Sequence, residues 1–255
     1  MCKECGCKPV SVHGDHEHHH HHDHDHNHDH DHAGISEHTS TQKVSVEQAV
    51  LNKNDAFAEE NRRYFQKKGI YVINLISSPG SGKTTIVEYL ARHFGEKMAV
   101  VVGDIQTHRD AERARAAGCR SVQIETLGAC HLDAHSVLHA VESLNLDGVK
   151  LLVIENVGNL VCPSSYDLGE HEVVAVLSVP EGDDKVLKYP VVFHRAATLL
   201  INKIDLASYV NFDKQKVITE TRSLNNRIRV FETAAVKGTG MDVFVEYLTK
   251  QCDFI

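Results

Sequence analysis

The chain has 255 residues, 42% of them hydrophobic and 24% charged, enough apolar material for one large domain or two modest ones. Its 35 acidic against 27 basic residues give a formal net charge of -8, which argues against a nucleic-acid partner, and no apolar run is long enough to span a membrane. No apolar signal region follows Met1, and seven cysteines, three of them in the first seven residues, do not form a disulfide framework; the chain reads as cytoplasmic, with metal-binding or redox-active thiols.

Residues 1 to 45 obey different rules from the remainder, 46 to 255. At the N-terminus Cys2, Cys5 and Cys7 form C-x-x-C-x-C, three thiolates close enough to converge on one soft ion, although unstructured thiols or a redox pair would share that spacing. From His13 to His38 lie thirteen of the twenty histidines, interleaved with Asp15, Glu17, Asp23, Asp25, Asp29 and Asp31. Such a tract has almost nothing to bury and is expected to be disordered when metal-free. Its neutral imidazoles favour Ni²⁺, Cu²⁺ or Zn²⁺, held loosely and interchangeably, and released as pH falls through ~6.5.

Val44 to Lys68 reads as a helix, with an intermittent apolar stripe of Val46, Ala49, Val50, Phe57, Tyr64 and Phe65, and Gly69 at its end. Beyond Gly69, β-branched runs fall at 70–76, 98–102, 121–124, 151–154, 173–179, 198–201 and 228–231. Helical patterns separate several of them, at 84–93, 109–117, 131–144, 214–224 and 241–248. Near-continuous apolar strands alternating with helices predict an α/β fold, a mainly parallel seven-stranded sheet covered on both faces.

The first strand runs into Ser77-Ser78-Pro79-Gly80-Ser81-Gly82-Lys83-Thr84 and then, at Thr85, into a helix. This is the phosphate-loop pattern G-x-x-x-x-G-K-[ST], with Ser77 in place of its first glycine. Gly80, Ser81 and Gly82 let backbone N–H groups converge on phosphates at a helix N-terminus; Lys83 reaches the outer phosphates and the Thr84 hydroxyl ligates Mg²⁺. Two carboxylates follow strands at the edge where ligands collect: Asp104, and Glu155, which leads to Gly158 as a γ-phosphate sensor. Asn202-Lys203-Ile204-Asp205 fits the guanine pattern N-K-x-D, in which Asp205 accepts from guanine N1–H and the exocyclic amine; GTP and GDP are the expected nucleotides. No glutamine or arginine is assignable to water positioning or charge stabilisation, so slow intrinsic hydrolysis is expected, completed by dimerisation or a partner.

Cys130 and His131 are placed at the start of a helix on which His131, His135 and His139 recur at four-residue spacing. Cys162 follows Gly158 closely, so Cys130, His131 and Cys162 could form one soft site whose geometry changes with nucleotide. Cys119 and Cys252 read as core residues, and His135 and His139 as surface histidines.

Cys2–Cys7, the histidine tract, Ser78–Thr84, Asp104-Ile105-Gln106-Thr107, Cys130-His131-Leu132-Asp133 and Glu155–Pro163 together resemble the HypB family of hydrogenase nickel-incorporation GTPases, over nearly the whole chain. The resemblance implies a GTPase of the signal-recognition and metal-insertion class that forms a GTP-dependent homodimer and delivers Ni²⁺ to the large subunit of [NiFe]-hydrogenase. It implies a HypA-type zinc accessory protein as partner and a nickel-binding prolyl isomerase as a further one. It assigns Cys2, Cys5 and Cys7 to a high-affinity nickel site, and Cys130, His131 and Cys162 to a nickel/zinc site at the dimer interface. Thr233–Gly238 only approximates the family's base-contact loop, and Val186 stands where the family pattern has proline. A urease-type accessory GTPase shares the nickel chemistry, but its E-S-G-G switch and C-P-H metal motif do not occur here. A metal-storage protein with a vestigial nucleotide fold is the other reading, against which Lys83, Thr84 and Asp205 stand.

Overall fold

The computed structural model describes residues 37–104, 109–126 and 128–255, with backbone only for 37–47, 104, 109 and 110. The expectations for Cys2, Cys5, Cys7 and the histidine tract therefore lie outside the described residues, apart from the backbone at His38. The chain divides into two units, residues 1–50 and Leu51–Ile255. Of the first, the structure describes the opening turns of helix α1 (Glu37–Lys68), which begins before the expected Val44 and ends at Lys68 as expected.

The second unit continues α1 and then alternates strand and helix. In chain order these are β1 (Tyr71–Ser77), α2 (Lys83–Phe94), β2 (Met98–Asp104), α3 (Arg109–Ala116), β3 (Arg120–Glu125), α4 (Ala134–Glu142), β4 (Leu151–Glu155), β5 (Glu172–Ser178), α5 (Lys185–Lys188), α6 (Pro190–Arg195), β6 (Thr198–Asn202), α7 (Lys214–Leu224), β7 (Arg229–Glu232) and α8 (Met241–Asp253). All seven strands pair in parallel in the order β3-β2-β4-β1-β5-β6-β7. The expected sheet is found strand for strand.

Period-two alternation sorts the central strand between two layers. Tyr71, Ile73 and Leu75 of β1 pack with Ile86, Leu90, Phe244 and Leu248 from α2 and α8. On the opposite face Val72 meets Phe65, Val137 and Val141, and Ile76 meets Val186, Val192 and Phe193. Each such fully buried side chain contributes about 1.5–3 kcal/mol relative to leaving it in water. Val186 is thus a core residue.

Two expectations are corrected. Phe65 of the expected stripe on α1 is buried, but Val50 is 51% exposed, and Asn54, Ala58 and Asn61 complete the inward face. Its asparagines defeat a purely hydrophobic pattern because their side chains bond buried backbone: Asn61 Nδ2 donates to the carbonyls of Ala134 and Leu168, and Asn54 Oδ1 accepts from Ala134 N. The second correction concerns α4, which starts at Ala134 rather than His131. Asp133 caps it, accepting from Ser136 N at 2.8 Å, so Cys130 and His131 lie in a bend ahead of the helix, and His131 is not on a face with His135 and His139. The short α5 and α6 were not foreseen; Pro190, tolerated at a first helical position, separates them.

Candidate nucleotide pocket and metal centre

The loops that follow β1, β2, β3, β4 and β6 leave the same edge of the parallel sheet. Between β1 and α2 the chain turns through Gly80 at φ 75° and Gly82 at φ 100°. Both are left-handed positions that favour glycine. Gly82 is doubly constrained, because a Cβ there would meet Asn202 Nδ2 at 2.6 Å. Ser77, the departure from the loop pattern, is the buried last residue of β1 and has no positive φ, so no glycine is needed there. Its hydroxyl accepts from Lys83 Nζ at 2.8 Å and donates to the Ser78 carbonyl at 2.7 Å.

A cavity of about 460 Å³ opens over this loop. Gly80, Gly82, Lys83, Thr84 and Thr85 line one side, Glu155, Val157 and Gly158 another, with Lys203 at its margin. Thr84 Oγ1 donates to Glu155 Oε1 at 2.7 Å. A hydroxyl and a carboxylate oxygen meeting at a helix N-terminus form the hard oxygen donor pair that suits Mg²⁺ beside phosphates. Gly158 packs directly on the phosphate loop: a Cβ would come within 3.1 Å of Pro79, so the segment after β4 and the loop touch without a side chain between them. Asp104 ends β2 at this edge, opposite Glu125 of β3; its side chain lies outside the described residues.

Two expected nucleotide residues, Ser81 and Asn202, turn their side chains elsewhere. Ser81 is buried and its hydroxyl bonds the Ser78 carbonyl and Glu181 Oε1, a carboxylate oxygen that also accepts from Ser178 N and Oγ. Asn202 is buried behind the loop, where Nδ2 donates to the Ser81 carbonyl at 2.9 Å and Oδ1 accepts from Thr233 Oγ1 and Ala235 N. It braces the phosphate loop against the Thr233–Ala235 segment. Asp205 pairs with Lys237 Nζ at 3.1 Å, placing the loop that only approximates the family pattern beside the carboxylate expected to read the base. Lys203 adopts φ 60°, the one positive φ among described non-glycine residues, and its Nζ donates to the Gly80 carbonyl at 2.6 Å. Arg113, which the sequence reading left unassigned, lines the cavity from α3 and is held by Glu88 through bonds of 2.8 and 3.1 Å.

The soft-ligand residues converge. One ligand atom each from Cys130, His131 and Cys162 lie within 4.8 Å of one another, all three half-buried. Cys130 Sγ is 3.6 Å from His131 Nδ1. Two thiol sulfurs and an imidazole suit Ni²⁺ or Zn²⁺. Burial pushes the His131 pKa down, partly opposed by Asp133, which favours the neutral ring that ligation requires. Cys119 and Cys252 are core residues, with thiols pushed up to about 11 chiefly by burial.

Two residues outside the motifs shape this cluster. The Tyr166 ring stacks on His131 with centroids 3.8 Å apart. The Arg195 guanidinium fixes the segment carrying Tyr166, donating to the carbonyls of Ser164 at 2.6 Å and Tyr166 at 3.3 Å while approaching Glu170 at 3.4 Å. Asn156, buried next to Glu155, joins the two sites: its Oδ1 accepts from Leu132 N at 3.3 Å and Val157 N at 2.9 Å, and Nδ2 donates to Asn74 Oδ1 at 3.2 Å. A single side chain thereby ties the end of β4 to the residue after His131. Leu132 also seals the end of β2, where a Cβ on Gly103 would meet it at 2.8 Å.

Residues 71–232 match the family described as CobW/HypB/UreG, nucleotide-binding domain. The hydrogenase maturation factor HypB of Azotobacter chroococcum mcd 1 is 48% identical over 84% of this chain and 70% of its own length. The hydrogenase/urease maturation factor HypB of Helicobacter pylori (strain 26695) is 42% identical over 83% of this chain and 89% of its own. Among solved structures, HypB from Helicobacter pylori in complex with nickel superposes with a TM-score of 0.76 at 43% identity, covering 79% of this chain and 95% of that one. A parallel P-loop domain of this topology, carrying these motifs and matched along most of its length, belongs to the HypB family of hydrogenase maturation factors.

Proposed function

We propose that this chain is a GTP-hydrolysing metallochaperone that stores Ni²⁺ and inserts it into the large subunit of [NiFe]-hydrogenase. The observation that carries the reading is the placement of Cys130, His131 and Cys162 on loops tethered to the switch strand, with Asn156 bonded to Leu132 N and Cys162 close behind Gly158. GTP and GDP occupy the cavity over the phosphate loop, with Lys83 on the outer phosphates and Asp205 on the base. Mg²⁺, when bound, neutralises charge on the β- and γ-phosphate oxygens, and Thr84 and Glu155 are the residues that hold it. Hydrolysis is slow in the monomer and is completed when two subunits meet across the switch, bringing together two copies of the Cys130, His131 and Cys162 cluster, which takes nickel or zinc.

Cys2, Cys5 and Cys7 serve as the tight nickel-capture site, and the histidine tract as a looser reservoir. The HypA-type zinc accessory protein and a nickel-binding prolyl isomerase are the partners in transfer. Work in the cytoplasm fits the described residues, in which no helix is long and apolar enough to cross a membrane. Pure storage fits less well, because a store has no need to join its metal ligands to a nucleotide switch.

Coupling between the two sites is reciprocal. The test uses the full chain with Cys2, Cys5 and Cys7 each changed to Ser, so that thiolate-to-nickel charge-transfer absorbance reports Cys130 and Cys162. Nickel affinity read from that band is expected to differ ~5- to 150-fold between the GDP state and a non-hydrolysable GTP analogue. Equal affinities would remove the mechanism.

A further inference from the structure

Two buried asparagines of α1 reach the two loops that carry the soft ligands. Asn54 and Asn61 lie on one face of the helix, about two turns apart. Asn61 Nδ2 donates to the Ala134 carbonyl at 2.8 Å and to the Leu168 carbonyl at 2.9 Å. Asn54 Oδ1 accepts from Ala134 N at 2.9 Å, and its Nδ2 donates to the Asp167 carbonyl at 2.8 Å. Each side chain therefore makes one bond to either loop. Ala134 follows His131 by three residues, while Asp167 and Leu168 come directly after Tyr166, the ring stacked on His131.

The second loop is pressed onto the helix. Gly169 has φ 84°, and a Cβ there would meet the Ala58 carbonyl oxygen at 2.5 Å and Asn61 Cβ at 2.6 Å. Arg62 adds two bonds to the Asp167 carboxylate, at 2.9 and 3.1 Å. The Asn61 amide carries a cost, because its Oδ1 is buried and accepts no hydrogen bond from the described residues. Its Nδ2 offsets that cost by placing its two protons on carbonyls of different loops.

We propose that Asn54 and Asn61 are positioning residues of the metal centre: from one face of α1 they set the distance between the loop of Cys130 and His131 and the loop of Cys162. The loops leave different strands, β3 and β4, so neither fixes the other through the chain. Metal–ligand distances tolerate only about 0.2 Å of error, and a rigid helix bonded to both loops supplies that precision. The asparagines touch no ligand atom. They act through Ala134 on one side and through Asp167 and Leu168 on the other.

The test uses the full chain with Cys2, Cys5 and Cys7 each changed to Ser. It follows the thiolate-to-nickel absorbance band of Cys130 and Cys162 together with GDP affinity and urea denaturation. Asn61→Ala should weaken nickel binding by about 10-fold and alter the band, with GDP affinity unchanged. Asn54→Asp is the milder change: it keeps an acceptor for Ala134 N, loses the donor to Asp167, and should weaken nickel binding by less. Phe65→Leu is the control, since it loosens the same helix at a buried apolar contact and leaves all four bonds in place. It should lower the urea midpoint and leave nickel binding as it was.

Nickel binding untouched in both asparagine variants would reduce the amides to supports of the fold. Equal weakening by Phe65→Leu would assign the effect to general loosening. Either result overturns the proposal while leaving the metal centre standing. The inference rests on the reading of Cys130, His131 and Cys162 as a nickel site; absence of the band from the parent chain would overturn that reading and this one together.

Discussion

Every group that the phosphate loop offers comes from consecutive residues, Ser77 to Thr85, whereas the cysteine–histidine cluster draws on Cys130 and His131 after β3 and Cys162 after β4. In the loop the geometry is carried by backbone: left-handed Gly80 and Gly82, and the first turn of α2. In the cluster it is carried by distant side chains, namely Asn156 on Leu132 N, Tyr166 on His131, and Arg195 on the carbonyls of Ser164 and Tyr166. The first design is stiff and local. The second depends on its supports, as the proposed holding and release of a metal would require.

The sharpest separation of the two regions is Lys83→Ala. Losing a charge that stabilises the transferring phosphoryl group should lower GTP hydrolysis by about 10²- to 10³-fold, measured as phosphate release. Its ammonium donates to the Ser77 hydroxyl at the end of β1; the fold should survive, and nickel should still bind the cysteine–histidine cluster with its nucleotide dependence gone. Loss of nickel binding from the nucleotide-free variant would break the comparison, since the cluster would then depend on the loop for its shape.

Asn156→Ala attacks the connection instead. It leaves Leu132 N and Val157 N without their acceptor in a buried setting, a cost of about 1–3 kcal/mol that urea denaturation can read. The expected functional signature is selective: nucleotide still binds, and the ratio of nickel affinities in the two nucleotide states moves toward one. An unchanged ratio would place the coupling in the Gly158–Cys162 connection alone.

The smallest effect belongs to the support behind Tyr166. Burial pushes the Glu170 carboxyl above its ordinary 4.5, with nearby Asp167 adding to the rise and Arg195 opposing it. Because its folded-state value is raised, the unfolded chain loses this proton first as pH climbs through 4.5, and folding stability contributed by the group falls until the folded-state value is passed. Glu170→Gln cannot ionise. The stability of the variant relative to the parent should therefore increase with pH across that window and then level off, as followed by thermal melting. A difference that stays flat with pH would mean that Arg195 and the backbone donors to Glu170 fully offset burial.

Much of the fold was legible because parallel strands buried on both faces must be apolar along their length, and the five inner strands announce themselves in that way; the edge strands β3 and β7, half-buried or exposed, show it only in part. The inner face of α1 was less legible, because Asn54 and Asn61 are buried by hydrogen bonding rather than by hydrophobicity. Cys130, His131 and Cys162 could be suspected from residue type, yet His131 was assigned to a helix that Asp133 in fact starts later. Tyr166 and Arg113 carried no signal, since a tyrosine and an arginine without a motif are ordinary residues until a neighbour gives them a task; Asn156 lies within the Glu155–Pro163 motif, but nothing in that motif says that its side chain reaches Leu132.

The chain by itself determined the phosphate loop, the sheet and the list of soft ligands, because each depends on local conformation, on periodic burial or on the chemistry of single side chains. Only the tertiary structure decided that three of those ligands converge within 4.8 Å, that Asn156 joins them to the switch, and that Asn54 and Asn61 each bond both ligand-bearing loops. Those facts depend on rotamers and on pairings between residues far apart in the chain, which packing selects and which no stretch of sequence specifies alone.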